Sequence, residues 1–452
     1  MINNRINPKQ LDVDIRITNN EEVTLCYTDE EAKIEASRCL NCINHPCTEG
    51  CPIHNRIPEF ISKIKEEDYE EAYNIISSAS PFPAICSRVC AQERQCEGKC
   101  TRGIVGEPVC IGSLERYVTE KHIKVKQAKK DLNNYKVGII GGGPSGLACG
   151  KTLVKLGYQV DIYDSFKSVG GELLYGIPEF RLPKKVLNKE IDELIDLGIN
   201  FKLNNKITDK TIVEELSKQY DALYIATGSS VPKFMKIPGE SLNGVYSSKD
   251  FLRLFNLESD NVDFVNNVKD KNVAVIGGGN SAMDATRCAI RMGAKNVTII
   301  YRRSLEELPA RKIELEEAQA EGVKLCLLTN PVEILESKDN SNHVGSIKCI
   351  KMELGEPDES GRRRPVEIKD SEYEMGMDCV VMAISSSCES SVYDGLLDNK
   401  WGYILVDDNQ KTNIDNIFAG GDVVTGPNTV VHAIKAGIDA AKSIDELLNK
   451  NV

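Results

Sequence analysis

Cysteine is the most reactive residue type in this chain, and it is concentrated in one region. Ten of the sixteen cysteines lie between positions 26 and 110. Eight of them form two groups of four with short spacings, Cys39-x2-Cys42-x4-Cys47-x3-Cys51-Pro and Cys86-x3-Cys90-x5-Cys96-x3-Cys100. The polar first residues do not resemble a secretion signal, so we expect a cytoplasmic protein with reduced thiols. Such a density of thiols then indicates metal or cluster ligation.

A glycine-rich turn between two apolar runs forms the second chemical constellation. Residues 137–140 are apolar, the glycines Gly141, Gly143 and Gly146 follow, and a second apolar run ends in Asp164. In such a strand–turn–helix–strand unit the first glycine permits the tight turn, and the second lets backbone amides approach a pyrophosphate. The third lets the helix pack on the strand. Asp164 is placed to accept ribose hydroxyls, so the stretch predicts a dinucleotide site.

The same pattern returns between residues 272 and 304, with one informative difference. Gly277, Gly279 and Ala282 occupy the three turn positions, and alanine is an accepted variant at the third. Where the first unit ends in an acid, this unit has Arg302 and Arg303. Guanidinium groups match phosphate oxygens, whereas a carboxylate repels a 2′-phosphate. The second unit therefore predicts NADP(H) over NAD(H), the alternative being a solvated basic turn.

With two dinucleotide sites downstream, the cysteine groups favour iron–sulfur chemistry. Zinc bound by four cysteines and a set of buried structural thiols are the alternatives. The closing Cys-x3-Cys-Pro, the absence of paired Cys-x2-Cys knuckles and the need for an electron exit from a flavin favour two 4Fe-4S clusters. Helical spacing suggests one cluster per group, but two-cluster ferredoxins exchange the last cysteine of a run. Spacing leaves both partitions open.

Helices and parallel strands must position these residues. A helix is predicted over 28–40, capped by Thr28 or Asp29, then a helical stretch over 57–79 and a docking helix over 112–132, followed by a short polar linker. A strand ends in Ala226-Thr227-Gly228, and a comparable turn lies near residue 384. The chain closes with a strand, Gly420-Gly421-Asp422 and a helix beginning near Asn428 and Thr429. That helix start could face a flavin and stabilise its reduced form.

Composition excludes some classes of function. The net charge of −12, with acids spread along the chain, argues against a nucleic-acid partner. No apolar run approaches the ~18 residues of a membrane span. We expect neither nucleic acid nor membrane as a partner.

These motifs together carry a resemblance that covers nearly the whole chain. GGGPSGLA paired with a terminal AGGD, and GGGNSAMDATR paired with YRRS, resemble the flavoproteins with two dinucleotide-binding domains. With the double cysteine group, GEPVCIGSLERYV and GELLYGIPEFRLPK, the chain resembles the small (β) subunit of NADPH glutamate synthase. It is also similar to the large subunit of electron-bifurcating ferredoxin:NADP transhydrogenase and to the N-terminal half of dihydropyrimidine dehydrogenase.

The resemblance implies an α/β architecture with an inserted domain. A helical domain with two 4Fe-4S clusters (1–134) precedes two Rossmann-like domains, the NADP(H) domain (251–389) being inserted in the FAD domain (135–250 and 390–452). The remaining residues that we expect to contact FAD or NADP(H) belong to the same motifs: Pro144, Ser145, Ser165, Gly171, Glu172, Leu173, Gly176, Ile177, Arg181, Ala226, Thr227, Gly228, Asn280, Ser281, Gly421, Asp422, Thr429 and Val430.

The resemblance also implies how the cysteines are shared. One cluster takes the first three cysteines of the first group and the last of the second: Cys39, Cys42, Cys47 and Cys100. The other takes Cys51, Cys90, Cys96 and, by position in GSLERY, Glu115, which leaves Cys86 as a bystander. One departure concerns Ser385, since related proteins have glycine in that turn and serine cannot take glycine angles cheaply.

The implied reaction is electron transfer, with no acid–base triad. NADPH would pass hydride to FAD, and single electrons would leave through the clusters to a partner subunit. The partner is a glutamate synthase large subunit or, alternatively, a small subunit carrying FAD and a 2Fe-2S centre in a transhydrogenase, with ferredoxin as a possible carrier. A disulfide reductase is disfavoured because GGELLYG has no cysteine pair. A binding module without turnover is the remaining alternative.

Overall fold

The structure is a computed structural model and describes residues 4–122, 130–359 and 361–449. In chain order the helices are α1 Val13–Arg16, α2 Asp29–Ser37, α3 Pro46–Glu49, α4 Ile57–Lys65, α5 Tyr69–Ala79, α6 Pro83–Val89, α7 Ile111–Lys121, α8 Pro144–Leu156, α9 Glu172–Tyr175, α10 Lys184–Leu197, α11 Lys210–Gln219, α12 Ser248–Leu257, α13 Val262–Asn266, α14 Asn280–Arg291, α15 Lys312–Ala320, α16 Asp422–Thr425 and α17 Val430–Asn449. No helix in these ranges is long and apolar enough to cross a membrane.

The strands separate into two parallel sheets and smaller antiparallel pieces. They are β1 Lys136–Ile140, β2 Gln159–Tyr163, β3 Asn200–Lys202, β4 Ala222–Ile225, β5 Val231–Pro232, β6 Val245–Ser247, β7 Asn272–Ile276, β8 Asn296–Tyr301, β9 Lys324–Leu327, β10 Thr329–Glu336, β11 Val344–Pro357, β12 Arg363–Glu367, β13 Tyr373–Gly376, β14 Cys379–Met382, β15 Ser386–Ser387, β16 Asn399–Lys400, β17 Tyr403–Ile404 and β18 Ile417–Ala419.

The first sheet has the strand order β18-β4-β1-β2-β3, and every pair in it is parallel. Its strands are apolar and buried on both faces, as parallel strands covered by helices should be. Because β18 returns to this sheet from the end of the chain, the second sheet is inserted between β4 and β18. This confirms the predicted architecture of one dinucleotide-binding domain inside another.

The second sheet repeats the design with the parallel order β6-β14-β7-β8-β9. Strands β10 to β13 form a separate antiparallel sheet. The short strands β5 and β15 lie in the two chain segments that connect the parallel sheets, and they pair with each other. Strand β6 belongs to this second sheet, although the prediction assigns residues up to 250 to the first domain. The predicted boundary after residue 250 also falls inside α12. The sequence signal for β6 is weak because the strand has only three residues. The exact domain limits stay a prediction.

The N-terminal region folds as predicted at α2 and differs from the prediction at α7. The Thr28 side chain accepts the Glu31 amide at 3.2 Å while Glu31 accepts the Thr28 amide at 2.9 Å, which confirms the predicted cap. Helix α7 ends at Lys121, whereas the predicted helix continues to residue 132. His122 takes an extended backbone and stacks on Tyr73, with ring centroids 3.5 Å apart. Residues 123–129 of the predicted helix lie outside the described residues.

The helical region and the first sheet share one hydrophobic core. Ile85 and Val89 of α6, and Phe82 at its N-cap, are buried with residues of β1, α8 and α17. The segment before α2 also binds the second domain, since Arg16 is 2.9 Å from Glu321 and Val23 is buried in the same hydrophobic cluster as Val273 and Val297 of the second sheet. The cluster region is therefore packed against both dinucleotide-binding domains.

Candidate cluster and dinucleotide sites

A cavity collects one set of the sulfur ligands that the sequence implies. Its lining includes Cys51, Cys86, Cys90, Cys96 and Glu115. Different elements supply them: Cys51 follows α3, Cys90 ends α6, Cys96 precedes a 3-10 turn, and Glu115 lies in α7. The thiols of Cys51, Cys90 and Cys96 all lie within electrostatic range of the Glu115 carboxylate.

The donor set of this cavity fits an iron–sulfur cluster. Burial raises the pKa of Glu115 well above its usual range and the pKa of Cys51 to about 11. A buried carboxylate and several buried thiols are costly as anions unless they bind a cation. Thiols arranged around a cavity suit a multi-iron cluster, because each thiolate binds a different iron atom. Among residues 4–122, 130–359 and 361–449, no three cysteine, histidine or acidic side chains are grouped tightly enough for one metal ion.

The other four cysteines form a second group at half-buried positions. Cys39 lies within electrostatic range of Cys42 and Cys100, and Cys47 lies within range of Cys39 and Cys100. Burial and these neighbouring thiols raise the pKa of Cys47 to about 12. Cys42 donates to Thr101 and Cys100 accepts the Val109 amide at 3.5 Å. The structure thus brings together the last cysteine of the second group with the first three of the first group.

Cys86 lines the same cavity as the implied ligands of the other cluster. Its thiol is fully buried, accepts from Ser80 at 3.6 Å and forms a hydrogen bond with Cys90. It is also within electrostatic range of Glu115. Five donor side chains therefore border this cavity, one more than a 4Fe-4S cluster needs from the protein.

The first dinucleotide turn has the geometry that its glycines predict. Gly141 has a φ of +108°, and a Cβ there would lie 2.3 Å from the Ala226 carbonyl oxygen. A Cβ on Gly146 would lie 1.9 Å from the Gly141 carbonyl oxygen. Gly143 precedes α8, and no side chain caps this helix. The α8 amides are consequently open to a pyrophosphate.

Asp164 lies directly beneath this turn. Its carboxylate accepts the amides of Gly142 and Phe166, each at 2.9 Å, and burial raises its pKa. Around it the predicted contact residues differ in exposure. Ser165 is exposed, Leu173 is fully buried, and Gly171 approaches Gly143 so closely that a Cβ would lie 2.9 Å from its Cα.

An Asp164→Ala variant should retain less FAD and a full complement of iron. The carboxylate orders the turn through Gly142 and is the predicted ribose acceptor, so its loss should weaken FAD binding by about tenfold or more. FAD and iron content of the purified protein measure the two effects separately. Loss of iron with full flavin would contradict the assignment of this turn to FAD.

The second turn repeats the first almost contact for contact. A Cβ on Gly277 would lie 2.2 Å from the Ala383 carbonyl oxygen, just as a Cβ on Gly141 would lie 2.3 Å from the Ala226 carbonyl oxygen. Helix α14 again follows a glycine, Gly279, without a side-chain cap, and a Cβ at Gly279 would meet nothing within 4 Å. Ser281 is exposed and Ala282 is buried. This turn too can receive a pyrophosphate.

The two arginines after β8 are in different environments. Arg302 is exposed at the end of the strand. Arg303 is buried and forms an ion pair with Asp358, whose carboxylate is 2.6 Å from the guanidinium. Of the two, Arg302 has the exposure that a ligand phosphate requires, whereas Arg303 already has an anionic partner.

Ser385 occupies the turn that corresponds to Gly228 in the first unit. Its φ is +102°, compared with +70° at Gly228, so a serine holds a glycine-like backbone. A non-glycine residue in such a conformation costs of order 1–3 kcal/mol. The neighbouring Ser386 is buried, and its hydroxyl pairs with Ser229 at 3.1 Å.

Replacing Ser385 with glycine should stabilise the protein by about 1 kcal/mol. The thermal unfolding midpoint of the holoprotein should rise. Ser386→Gly is the matched control, and it should lower the midpoint because a buried hydrogen bond is lost. A fall in the midpoint for Ser385→Gly would show that the side chain makes a stabilising contact.

The C-terminal motif lies against the first turn. Gly421 has a φ of +76°, and a Cβ there would lie 3.0 Å from the Ser145 Cβ. The Ser145 hydroxyl itself pairs with Tyr224 at 2.7 Å. Asp422 accepts the Asn428 amide at 3.2 Å, and helix α17 begins at Val430 immediately after Thr429. This agrees with the predicted helix start near Asn428.

Burial raises the pKa of Asp422 to about 6, with Glu172 adding to the shift and Lys249 opposing it. If FAD binds to the ionised carboxylate through a hydroxyl, FAD retention should fall as the pH drops through about 6. Asp422→Asn should remove this pH dependence, which equilibrium dialysis of FAD can measure. In the apoprotein the sign is opposite: a carboxyl with a raised folded-state pKa stabilises the fold at low pH, and this contribution is lost as the pH rises through about 6.

Arg181 and Glu172, both predicted cofactor contacts, are engaged between the domains. The Arg181 guanidinium donates to both oxygens of Asp284, at 2.8 and 2.6 Å, and pairs with Glu314. Glu172 pairs with Lys249 at the start of α12. Gly176 cannot carry a side chain without meeting Glu172, and the Ile177 amide donates to the Glu172 carbonyl. These residues therefore also hold the two dinucleotide-binding domains together.

The structure reveals two connections that the motifs do not predict. A Cβ on Gly437 would lie 2.1 Å from the Ser145 carbonyl oxygen, so this glycine lets α17 pack closely on α8. Arg311 donates to Glu93 at 3.0 Å, while its own amide donates to the Asn280 side chain at 2.9 Å. Glu93 lies between Cys90 and Cys96, so the second dinucleotide turn is connected to the cluster cavity. The small residues around Gly437 are a sequence signal for the close packing of α17 on α8. No sequence signal indicates the contact between Arg311 and Glu93.

Comparison with known proteins places this architecture in a family. Residues 16–127 match the family model described as dihydropyrimidine dehydrogenase domain II, 4Fe-4S cluster. Residues 135–437 match the pyridine nucleotide-disulphide oxidoreductase model. In fold, the NADPH complex of FprA from Mycobacterium tuberculosis is similar, with a TM-score of 0.60 at 21% identity over 70% of this chain and 85% of that one.

Curated relatives match over most of the chain. The glutamate synthase (NADPH) small chain of Azospirillum brasilense is 35% identical, covering 94% of this chain and 90% of its own length. The corresponding Escherichia coli (strain K12) chain is 34% identical, with coverage of 97% and 96%. The NADP(+)-dependent formate dehydrogenase subunit beta of Moorella thermoacetica is 37% identical over 90% of this chain, which spans 60% of that protein. Since sequence similarity extends across both the cluster region and the two dinucleotide-binding domains, the chain belongs to the glutamate synthase small-chain family and is an NAD(P)H-dependent flavin and iron–sulfur oxidoreductase.

Proposed function

We propose that this chain is the NADPH-oxidising subunit of an electron-transfer enzyme of the glutamate synthase type. When bound, FAD and two 4Fe-4S clusters would supply the redox chemistry that takes hydride from NADPH and releases its electrons singly. The protein binds and orients these groups and separates them from water. A partner subunit receives the electrons.

One observation carries the proposal most directly. Val431, in the first turn of α17, lines the cavity that holds Cys51, Cys90, Cys96 and Glu115. The same helix begins just after Asp422 and Thr429, which we assign to FAD. One helix start thus borders both the proposed flavin site and the proposed cluster site. Two sites that border the same helix start are suitably placed for electron transfer between them.

We assign the dinucleotides by charge. The open amides of α8 and α14 would each bind a pyrophosphate, and Asp164 would accept the ribose hydroxyls of FAD. Arg302 would bind the 2′-phosphate of NADPH. In the cluster cavity, a Glu115 carboxylate gives less electron density than a thiolate and should shift the potential of its cluster.

The names of the relatives support a partner subunit and leave its identity to experiment. The curated proteins include small and beta subunits of glutamate synthase, formate dehydrogenase and an NADPH-Fe(3+) oxidoreductase. The alignments with glutamate synthase small chains cover nearly the full length of both proteins, so a glutamate synthase large subunit is our leading partner. A small FAD/2Fe-2S subunit of a transhydrogenase is the alternative.

Anaerobic copurification from the native host tests the partner. We expect a large subunit with FMN and a glutamine amidotransferase domain, and glutamine-dependent glutamate formation with NADPH. Recovery of a small FAD/2Fe-2S subunit with NADH-dependent ferredoxin reduction would favour the alternative. Absence of NADPH-driven reduction of bound FAD, or of an artificial acceptor, would contradict both.

A further inference from the structure

A cleft lies where the cluster region meets the helices of the first dinucleotide-binding domain. The segment after Cys51, the end of α5, the second half of α8 and the middle of α17 form its walls. Its volume is about 530 Å³, within the ~300–1,000 Å³ of small-molecule sites. Neither dinucleotide turn contributes to its lining. We refer to it as the interdomain cleft.

The charged residues of the interdomain cleft are mostly basic. Arg56, Lys151, Lys155, Lys435 and Lys442 line it, and among its described lining residues Asp439 is the one acid. This is unusual in a chain with a net charge of −12. A cleft lined by one sign of charge between low-dielectric walls concentrates ions of the opposite sign.

The back wall of the cleft is preformed. Lys151 is buried and connects three segments: its ammonium donates to the Pro81 carbonyl at 2.7 Å and pairs with Glu190 at 3.3 Å and Glu193 at 3.0 Å. Its charge is therefore already compensated, so its role is structural. Because this wall is fixed, a ligand would not have to order it.

The basic side chains nearer the mouth can respond to an anion. Arg56 and its partner Glu59 are both about half exposed, and such surface pairs contribute little energy. Lys435 pairs with Asp439 at 2.5 Å on the same helix. Lys442 is exposed and makes no ion pair with any described residue. Two of these cations come from different segments of the lining, Arg56 from the segment after Cys51 and Lys442 from α17.

The rest of the lining combines apolar proline, isoleucine, leucine and alanine side chains with the polar residues His54, Ser77, Ser78 and Thr152. Sites that combine an apolar surface with a few charged groups select amphipathic ligands. We propose that the interdomain cleft binds a phosphate-bearing small molecule, whose phosphates contact Arg56 and Lys442 and whose organic body lies on the apolar surface. Ile53 lines both this cleft and the cavity of Cys51 and Glu115, so the ligand would lie beside the proposed cluster.

The test uses the holoprotein loaded with FAD and saturated with NADP⁺, so that both dinucleotide turns are filled. Isothermal titration with ADP should show one saturable site per chain, with an affinity that falls as ionic strength rises. Arg56→Glu and Lys442→Glu should each weaken ADP binding at least tenfold. Lys338→Glu, the same charge reversal at an exposed position outside the cleft, should leave it unchanged.

Three results would overturn the proposal. The first is the absence of ADP binding to the NADP⁺-saturated holoprotein. The second is an unchanged affinity in both cleft variants. The third is equal weakening by Lys338→Glu. Because the assay measures binding without turnover, none of these results bears on the proposed electron-transfer function.

Discussion

A Cys96→Ser variant should lose one of the two clusters, about four of eight iron atoms per chain, and should keep its FAD. Cys96 is buried in the cavity with Cys51, Cys90 and Glu115, and serine is a poor iron ligand there. Electron transfer to the partner should fall at least about 100-fold, since the proposed cluster would lie beside the proposed flavin site. Reduction of bound FAD by NADPH should be nearly unaffected. Iron analysis, flavin content and partner-linked activity measure the three effects.

Cys86→Ser is the matched control, because Cys86 lines the same cavity and is buried as Cys96 is. Its hydroxyl can keep the bonds to Ser80 and Cys90. We expect full iron content in this variant. Loss of iron from Cys86→Ser, together with retention in Cys96→Ser, would reverse the proposed ligand assignment.

Charge reversal at Arg302 should have the second largest effect. In Arg302→Glu the KM for NADPH should rise about 100-fold, equivalent to ~2.7 kcal/mol, because a carboxylate repels the 2′-phosphate. The KM for NADH, which has no such phosphate, should change little. Steady-state reduction of an artificial acceptor with each nucleotide gives both values. FAD and iron content should stay unchanged.

Lys338→Glu makes the same charge change at an exposed position in the inserted domain and should not alter either KM. Arg303 is expected to behave differently from Arg302. Its buried guanidinium pairs with the half-buried Asp358, so Arg303→Gln should lower thermal stability by removing this ion pair. Equal losses of NADPH affinity in Arg302→Glu and Lys338→Glu would contradict a specific phosphate contact.

The sequence predicts best those parts of the site that depend on local geometry. A Cβ on Gly141 would lie 2.3 Å from the Ala226 carbonyl oxygen, and a Cβ on Gly277 would lie 2.2 Å from the Ala383 carbonyl oxygen. Two copies of one turn should agree in this way. The glycine spacing sets this geometry within a few residues. The cap of α2 by Thr28 is equally local. The inserted domain is predicted by the resemblance to flavoproteins with two dinucleotide-binding domains, and the sheet topology confirms it.

Local sequence patterns do not predict the contacts between segments that are far apart in the chain. Arg311 and Glu93 lie 218 positions apart, and nothing near either residue indicates the other. Arg181 matches a motif that suggested cofactor binding, yet its charge is satisfied by Asp284 and Glu314 across the domain boundary. The early end of α7 depends on the stacking of His122 on Tyr73, which packing decides and helix propensity does not.

The central claim is that electrons pass from NADPH through FAD to the clusters. Anaerobic rapid mixing of the oxidised holoprotein with NADPH, followed by flavin absorbance and by freeze-quench EPR of the clusters, tests it most directly. We predict that loss of flavin absorbance precedes the cluster signal, and that Cys96→Ser keeps the first step and loses part of the second. A cluster signal that appears before or without flavin bleaching would contradict this account.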